Sequence, residues 1–159
     1  MSPAPSKTAA HRALRARLED ELSVLESMVA AARDEATSAE SRPENKYDTR
    51  AIEASYLAAG QGERLATLRQ MVGWAQGLQG EPHTRAQVGA LVHVATEAGD
   101  RWVVLAPSGG PTIDVDAIEV ATVSTRSPLG RALTGASVDD AVEVHGPRGS
   151  YEAEVLNVR

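Results

Sequence analysis

The chain has 159 residues, a formal charge of −6 and no cysteine. This length suffices for one ordinary domain or two small ones, and the missing cysteine excludes disulfides, thiolate metal sites and cysteine nucleophiles. An acidic chain without phenylalanine also lacks the basic surface and the stacking aromatics of direct nucleic-acid binders. The composition therefore predicts that any contact with nucleic acid is made by a partner of this protein.

The N-terminal sequence MSPAPSKTAAHR contains no apolar run of the kind that signal peptides require. No stretch of the chain approaches the roughly 20 apolar residues of a membrane-spanning helix. We therefore expect a cytoplasmic protein that makes no membrane contact.

Two long amphipathic helices are predicted in the first half of the chain. The first extends from about Thr8 to Ala39 and is rich in helix-forming residues. Each helix has an apolar stripe with a spacing close to the coiled-coil repeat. The stripes are Leu14, Leu18, Leu22, Leu25, Val29, Ala32, Ala36 and Ala39, then Ala54, Ala58, Gln61, Leu65, Leu68, Val72 and Ala75. Gly60 and Gly62 weaken the second helix, because each glycine costs about 1 kcal/mol in a helix interior.

The segment SRPENKYDTR, residues 41–50, separates the two stripes. Pro43 ends the first helix because the residue before a proline is pushed out of the helical region, and Asp48 or Thr49 can cap the second. Two helices with a short connection normally fold back as an antiparallel hairpin. The sequence therefore predicts a coiled-coil finger over residues 1–80, about 45 Å long by helix rise, with an acidic tip near 41–53.

The second half, residues 84–159, follows a linker at Gln79–Pro82 and shows the pattern of a small β-rich domain. About five strands are predicted, in QVGALVHVAT, RWVVLAP, TIDVDAIEVATV, AVEVHGP and SYEAEVLNV. Between the third and fourth, Ser127 can cap a short helix, Pro128 fits its first turn and Gly135 can end it. The fold class is α+β. The four histidines lack the spacing of zinc ligands.

The segment SPLGRALTG, residues 127–135, followed by a strand of the AVEV type, resembles the S-P-x-x-R-A-L-x-G segment of the bacterial Gre (GreA/GreB) transcript-cleavage factors. That segment belongs to their C-terminal domain, and the order of finger, linker and small β domain matches as well. The resemblance covers essentially the whole chain, with EASYLAAGQ adding support in the finger. It implies an FKBP-like fold for the C-terminal domain.

The resemblance also implies a function. Gre factors dock their C-terminal domain at the rim of the RNA polymerase secondary channel, and here Ser127, Pro128 and Arg131 would shape the docking region. The finger then reaches the active centre, where the polymerase cleaves its own backtracked RNA. The chain would thus be a monomeric elongation factor, not itself an enzyme, that meets nucleic acid only through the polymerase.

In the cleaving members of the family, two tip acids help to hold a second Mg²⁺ ion, for which carboxylate oxygens are suitable hard ligands. Glu44 resembles the acid of the family's E-N pair, whereas Asp48 and Glu53 bracket the start of the second helix. The two registers compete, and neither reproduces the family spacing. Asp48 and Glu53 are the expected shared metal ligands, and no cofactor is expected to bind tightly to the chain alone.

Basic residues at 42, 46 and 50 dilute the negative potential that would recruit a metal to the tip. Two alternatives to a cleavage factor stay open. The chain could occupy the channel as a regulator that does not promote cleavage. It could also be an adaptor whose finger binds another protein. A cleavage assay separates the first alternative from the leading interpretation, and a polymerase binding assay separates the second.

Overall fold

The computed structural model describes the backbone of residues 3–37 and 49–159, and the side chains of residues 3–35 and 60–159. Its elements are α1 (Lys7–Thr37), α2 (Thr49–Gln76), β1 (Leu91–Thr96), β2 (Gly99–Ala106), β3 (Ile113–Val115), β4 (Ile118–Ser124), α3 (Pro128–Leu133), β5 (Ala141–Gly146) and β6 (Gly149–Val158). The predicted α+β class, with long N-terminal helices before a β-rich domain with one short helix, is confirmed. The predicted turn at residues 41–49 lies outside the described residues.

The apolar stripes are buried in the first part of α1 and in the second part of α2. Leu18 and Leu25 of α1 and Leu65 and Val72 of α2 are buried, whereas Ala32, farther along α1, is exposed. An ion pair between Glu26 and Arg69, 3.3 Å apart, joins the two helices on their surface. Among the described residues, no helix combines the length and the apolar character that a bilayer crossing needs.

All six strands form one sheet in the order β3-β4-β2-β1-β6-β5. The neighbours pair antiparallel except β2 and β4, which are parallel. A bulge between His93 and Val94 interrupts the register of β1 with β6. The strands β3 and β5 form the two edges of the sheet.

The prediction of about five strands is wrong in one place. The segment TIDVDAIEVATV, expected as a single strand, is a hairpin in which β3 pairs with β4. Asp116 and Ala117 form its turn with φ angles of 53° and 64°. Two consecutive residues with positive φ give the tight turn that matches the twist of antiparallel strands. Neither residue is glycine, so the sequence lacked the usual turn signal.

The core of the β domain lies between the sheet and α3. Alternate residues of the central strands point to this side, and Leu129 and Leu133 of α3 pack against them. Both leucines are buried. The strand residues in this cluster are Val92, Val94, Val103, Leu105, Val144, Ala153 and Val155.

The chain divides into two compact units. One unit combines the chain up to Arg17 with Trp74–Arg159, so the first turns of α1 pack with the β domain. The other unit is Leu18–Gly73. The helix α1 therefore contributes to both units, and the residues that belong with the sheet include a part of the predicted finger.

Candidate functional site

The segment Ser127–Gly135, which the sequence singled out as the docking region, forms α3 and its two caps. Ser127 is the N-cap: its hydroxyl accepts a hydrogen bond from the Gly130 amide at 3.1 Å and donates one to the Ser124 carbonyl at 2.7 Å. Pro128 occupies the first helical position, where its missing N–H costs nothing. The predicted N-cap role of Ser127 and the predicted first-turn position of Pro128 are confirmed.

The C-terminal end of α3 is closed by Thr134 and Gly135. The Thr134 hydroxyl donates to the Gly130 carbonyl at 2.7 Å, and the Thr134 amide bonds to the same oxygen. Gly135 follows with a φ of +88°, a left-handed conformation that favours glycine after a helix. Gly135 therefore ends the helix as predicted.

Gly130 lets α3 approach the end of β4 very closely. A Cβ atom at Gly130 would lie 1.9 Å from the carbonyl oxygen of Ser124. The obstacle is a main-chain atom, which cannot move aside as the end of a side chain can. The position of α3 on the sheet therefore depends on Gly130, a requirement that no sequence pattern indicated.

Arg131 lies on the outer side of α3 and is exposed. Its Nε donates to the carbonyl of Arg126 at 2.9 Å, which holds the side chain beside the N-terminal cap. Arg126, which directly precedes Ser127 in the chain, is also exposed, so this part of a negatively charged chain has two exposed arginines. Arginine presents a planar set of donors that suits carboxylates, and this surface is therefore equipped to contact an acidic partner.

The end of α3 is joined to the chain that precedes the sheet. The amide of Ala86 donates to the carbonyl of Ala136 at 2.8 Å, and the amide of Gly135 donates to the carbonyl of Ala86 at 2.7 Å. Ala86 is fully buried in the core cluster. The helix α3 is thus fixed at one end by its N-cap and at the other by hydrogen bonds to the segment before β1.

The described residues do not include the side chains of the predicted tip carboxylates. Glu44 and Asp48 lie outside the described residues, and Glu53 lies in α2 at a position whose side chain is not described. Within the described side chains, no group of three or more His, Asp or Glu residues is placed to hold a metal ion. The expected Mg²⁺ ligands therefore stay a prediction.

Comparison with known proteins identifies the C-terminal region. Residues 113–159 match the family model described as "Transcription elongation factor, GreA/GreB, C-term". This range contains β3, β4, α3, β5 and β6, and hence the whole candidate docking segment. No curated protein matches the chain.

Solved structures give weaker likenesses. The chain is similar to GreA factor homolog 1 (Gfh1) of Thermus thermophilus, at 19% identity over 92% of this chain and 95% of that one, with a TM-score of 0.36. It is similar to Thermus aquaticus Gfh1, at 18% identity over 93% and 95%, with a TM-score of 0.37. A GreA/GreB factor from Nitrosomonas europaea shares 19% identity over 64% and 92%, with a TM-score of 0.34.

The assignment rests on the family model, because these structural scores are low. The matched residues include the SPLGRALTG segment that carries the resemblance, and this segment forms the capped helix α3. Residues 113–159 therefore match the C-terminal domain of the GreA/GreB transcription elongation factor family.

Proposed function

We propose that this protein binds RNA polymerase at the rim of the secondary channel and promotes cleavage of backtracked RNA. The observation that carries the proposal is the GreA/GreB match over residues 113–159, which includes α3 and both of its caps. The exposed Arg126 and Arg131 beside the N-cap supply the charge for a contact with an acidic surface. We place this activity in the cytoplasm, with the protein acting as a monomer.

The finger would supply the second part of this function. The helices α1 and α2 have 31 and 28 residues, so each is about 40–45 Å long at a rise of about 1.5 Å per residue. Asp48, with Glu53 or Glu44, would then present carboxylates to the polymerase active centre. A Mg²⁺ ion held by these carboxylates would activate the attacking water, since carboxylate oxygens are ligands that suit it.

A second candidate function is a regulator that occupies the channel without promoting cleavage. The observation in its favour is the charge of the tip, where Arg42, Lys46 and Arg50 alternate with the acidic residues. Positive side chains close to a carboxylate lower its attraction for a cation. Both candidates require polymerase binding, so a binding measurement comes first.

A competition experiment tests the binding. Core RNA polymerase is saturated with a labelled GreA factor, and the full chain is titrated in at several salt concentrations. We expect displacement of the label, with a midpoint that rises with salt because exposed charges are screened. The Arg131→Ala variant should shift this midpoint about 5- to 30-fold, the range expected for loss of about 1–2 kcal/mol at an interface.

The matched control is Arg148→Ala, since Arg148 is also exposed but lies in the turn between β5 and β6. It should displace the label as the parent does. If the parent does not compete at any salt concentration, the proposed docking is wrong and the adaptor interpretation gains support.

A further inference from the structure

Three donor side chains lie one helical turn apart at the start of α1. Lys7, His11 and Arg15 recur every four residues, which places them on one face of the helix. Each contacts main-chain oxygen in residues 75–89, the end of α2 and the segment before β1. We refer to these three residues as the donor row and to residues 75–89 as the linker segment. All of them belong to the unit that contains the sheet.

Lys7 and His11 are buried although both are polar, with exposures of 8% and 3%. The Lys7 ammonium donates to the carbonyl of Glu81 and lies 2.5 Å from Nδ1 of His83. The His11 Nε2 donates to the carbonyl of Gly89 at 2.8 Å, with the proton assigned to that nitrogen. In the described part of the chain, the other ring nitrogen of His11 is buried without a hydrogen-bond partner.

Burying such groups costs free energy that an apolar side chain of similar size would avoid. The donor row is therefore a poor way to gain stability. What directional hydrogen bonds do provide is one defined position of the helix along the linker segment, which apolar contacts alone would not specify. The hydrogen bonds of the donor row therefore define where α1 lies along the linker segment.

Arg15 completes the row at the end of α2. Its Nε donates to the carbonyl of Ala75 at 3.3 Å and its Nη2 donates to the carbonyl of Leu78 at 3.2 Å. Carbonyls at a helix C-terminus have no partner within the helix, and a cation is favourable there. Arg15 therefore holds the end of α2 and the start of the linker segment against α1.

The linker segment also contacts the chain at the end of α3. Ala86, which lies between the acceptors of Lys7 and His11, exchanges main-chain hydrogen bonds with Gly135 and Ala136 at the end of α3. One short segment is thus hydrogen-bonded both to side chains of α1 and to the main chain just after α3. The helix α1 then continues without a break to Thr37.

We propose that Lys7, His11 and Arg15 are positioning residues, which hold α1 to the linker segment and hence to α3 so that a docked factor can act on the polymerase. The inference rests on the proposed function. Two properties of the protein are then carried by different residues. The helix α3 supplies affinity for the polymerase, and the donor row determines how strongly a bound factor changes transcript cleavage or elongation.

The test measures these two properties separately in the full-length protein. Lys7→Met and Arg15→Gln remove the donors at similar side-chain length, and Arg12→Gln, at an exposed position of the same helix, is the control. For each protein, transcript cleavage, or elongation rate for a non-cleaving factor, is followed against factor concentration. The half-maximal concentration reports docking, and the plateau reports the action of the bound factor.

We expect the half-maximal concentration of the donor-row variants to stay within about 2-fold of the parent, below the size of ordinary interface losses. The plateau should fall about 10-fold, since misplacement by about 1 Å can cost about 100-fold in rate. Arg15→Lys keeps a cationic donor and should restore most of the plateau, whereas Arg12→Gln should match the parent in both quantities.

Other outcomes overturn the inference. An unchanged plateau in both variants would exclude a positioning role, and a changed midpoint with an unchanged plateau would assign the row to docking. Should Lys7→Met fail to fold, the half-buried Arg15 and its two variants still decide the matter. A failure of the proposed function itself is distinguishable, because the parent would then neither bind the polymerase nor change transcription.

Discussion

At the scale of single residues, Gly130 determines whether α3 can lie on the sheet. Gly130→Ala places a methyl group 1.9 Å from the Ser124 carbonyl oxygen, so α3 or the end of β4 must shift. Overpacking of this kind costs about 1–3 kcal/mol, and we expect the free energy of unfolding in urea to fall by that amount. Gly109→Ala is the control, since a Cβ there meets nothing within 4 Å. Equal stability of the two variants would show that the close approach does not occur.

The buried histidine of the donor row predicts a dependence of stability on pH. Burial lowers the pKa of His11; the hydrogen bond to the Gly89 carbonyl opposes this shift, and the neighbouring Lys7, His83 and Arg15 charges add to it. His83 shifts in the same direction, again chiefly through burial. As pH falls below the ordinary histidine pKa of about 6.5, the unfolded chain therefore takes up protons before the folded one does.

The stabilisation is thus complete above about pH 6.5 and is lost progressively below it. Urea unfolding between about pH 7 and 5 should show this loss, and His11→Gln should make the profile flatter because one of the two histidines no longer titrates. Identical slopes for the parent and His11→Gln would contradict the assignment of a buried, neutral His11.

At the scale of elements, α2 contains glycines that the fold does not need. A Cβ at Gly62 meets nothing within 4 Å, and alanine is the better helix former. We expect Gly62→Ala to raise the free energy of unfolding by about 0.5–1 kcal/mol. Gly80→Ala should do the opposite, because Gly80 has a φ of +72° and its Cβ would lie 3.2 Å from the Thr8 hydroxyl oxygen. Destabilisation by Gly62→Ala, measured by thermal unfolding, would exclude this account.

Elements that follow a periodic pattern were predictable from the sequence, and those that depend on single contacts were not. The stripes through Leu18 and Leu65 predicted two helices, and Ser127, Pro128 and Gly135 predicted α3 with its caps. The β3–β4 turn was missed because Asp116 and Ala117 carry no glycine signal. The donor row was visible as a four-residue spacing, but its main-chain acceptors 60 to 78 positions away in the chain leave no trace in a sequence pattern.

At the scale of the whole molecule, the boundary between the two compact units does not coincide with the linker read from the sequence. The chain up to Arg17 belongs with the sheet. The sequence did not predict this, because its contacts with residues 75–89 are made by side chains that also suit an ordinary helix surface. The predicted ranges of 1–80 and 84–159 follow the order in which the long helices and the strands occur along the chain. The functional unit proposed here includes the start of α1, the linker segment and α3.

The central claim is that this chain acts on RNA polymerase through a finger that carries carboxylates. Its most direct test is cleavage of the RNA in a stalled, backtracked elongation complex, with the parent and Asp48→Asn. The parent should shorten the transcript, and Asp48→Asn should slow cleavage about 10²–10³-fold, the cost of losing one electrostatic group at a reacting centre. Its affinity for the polymerase should not change, since asparagine is also a competent helix cap. Cleavage by the variant at the parent's rate, or no cleavage by a parent that binds the polymerase, would contradict the account.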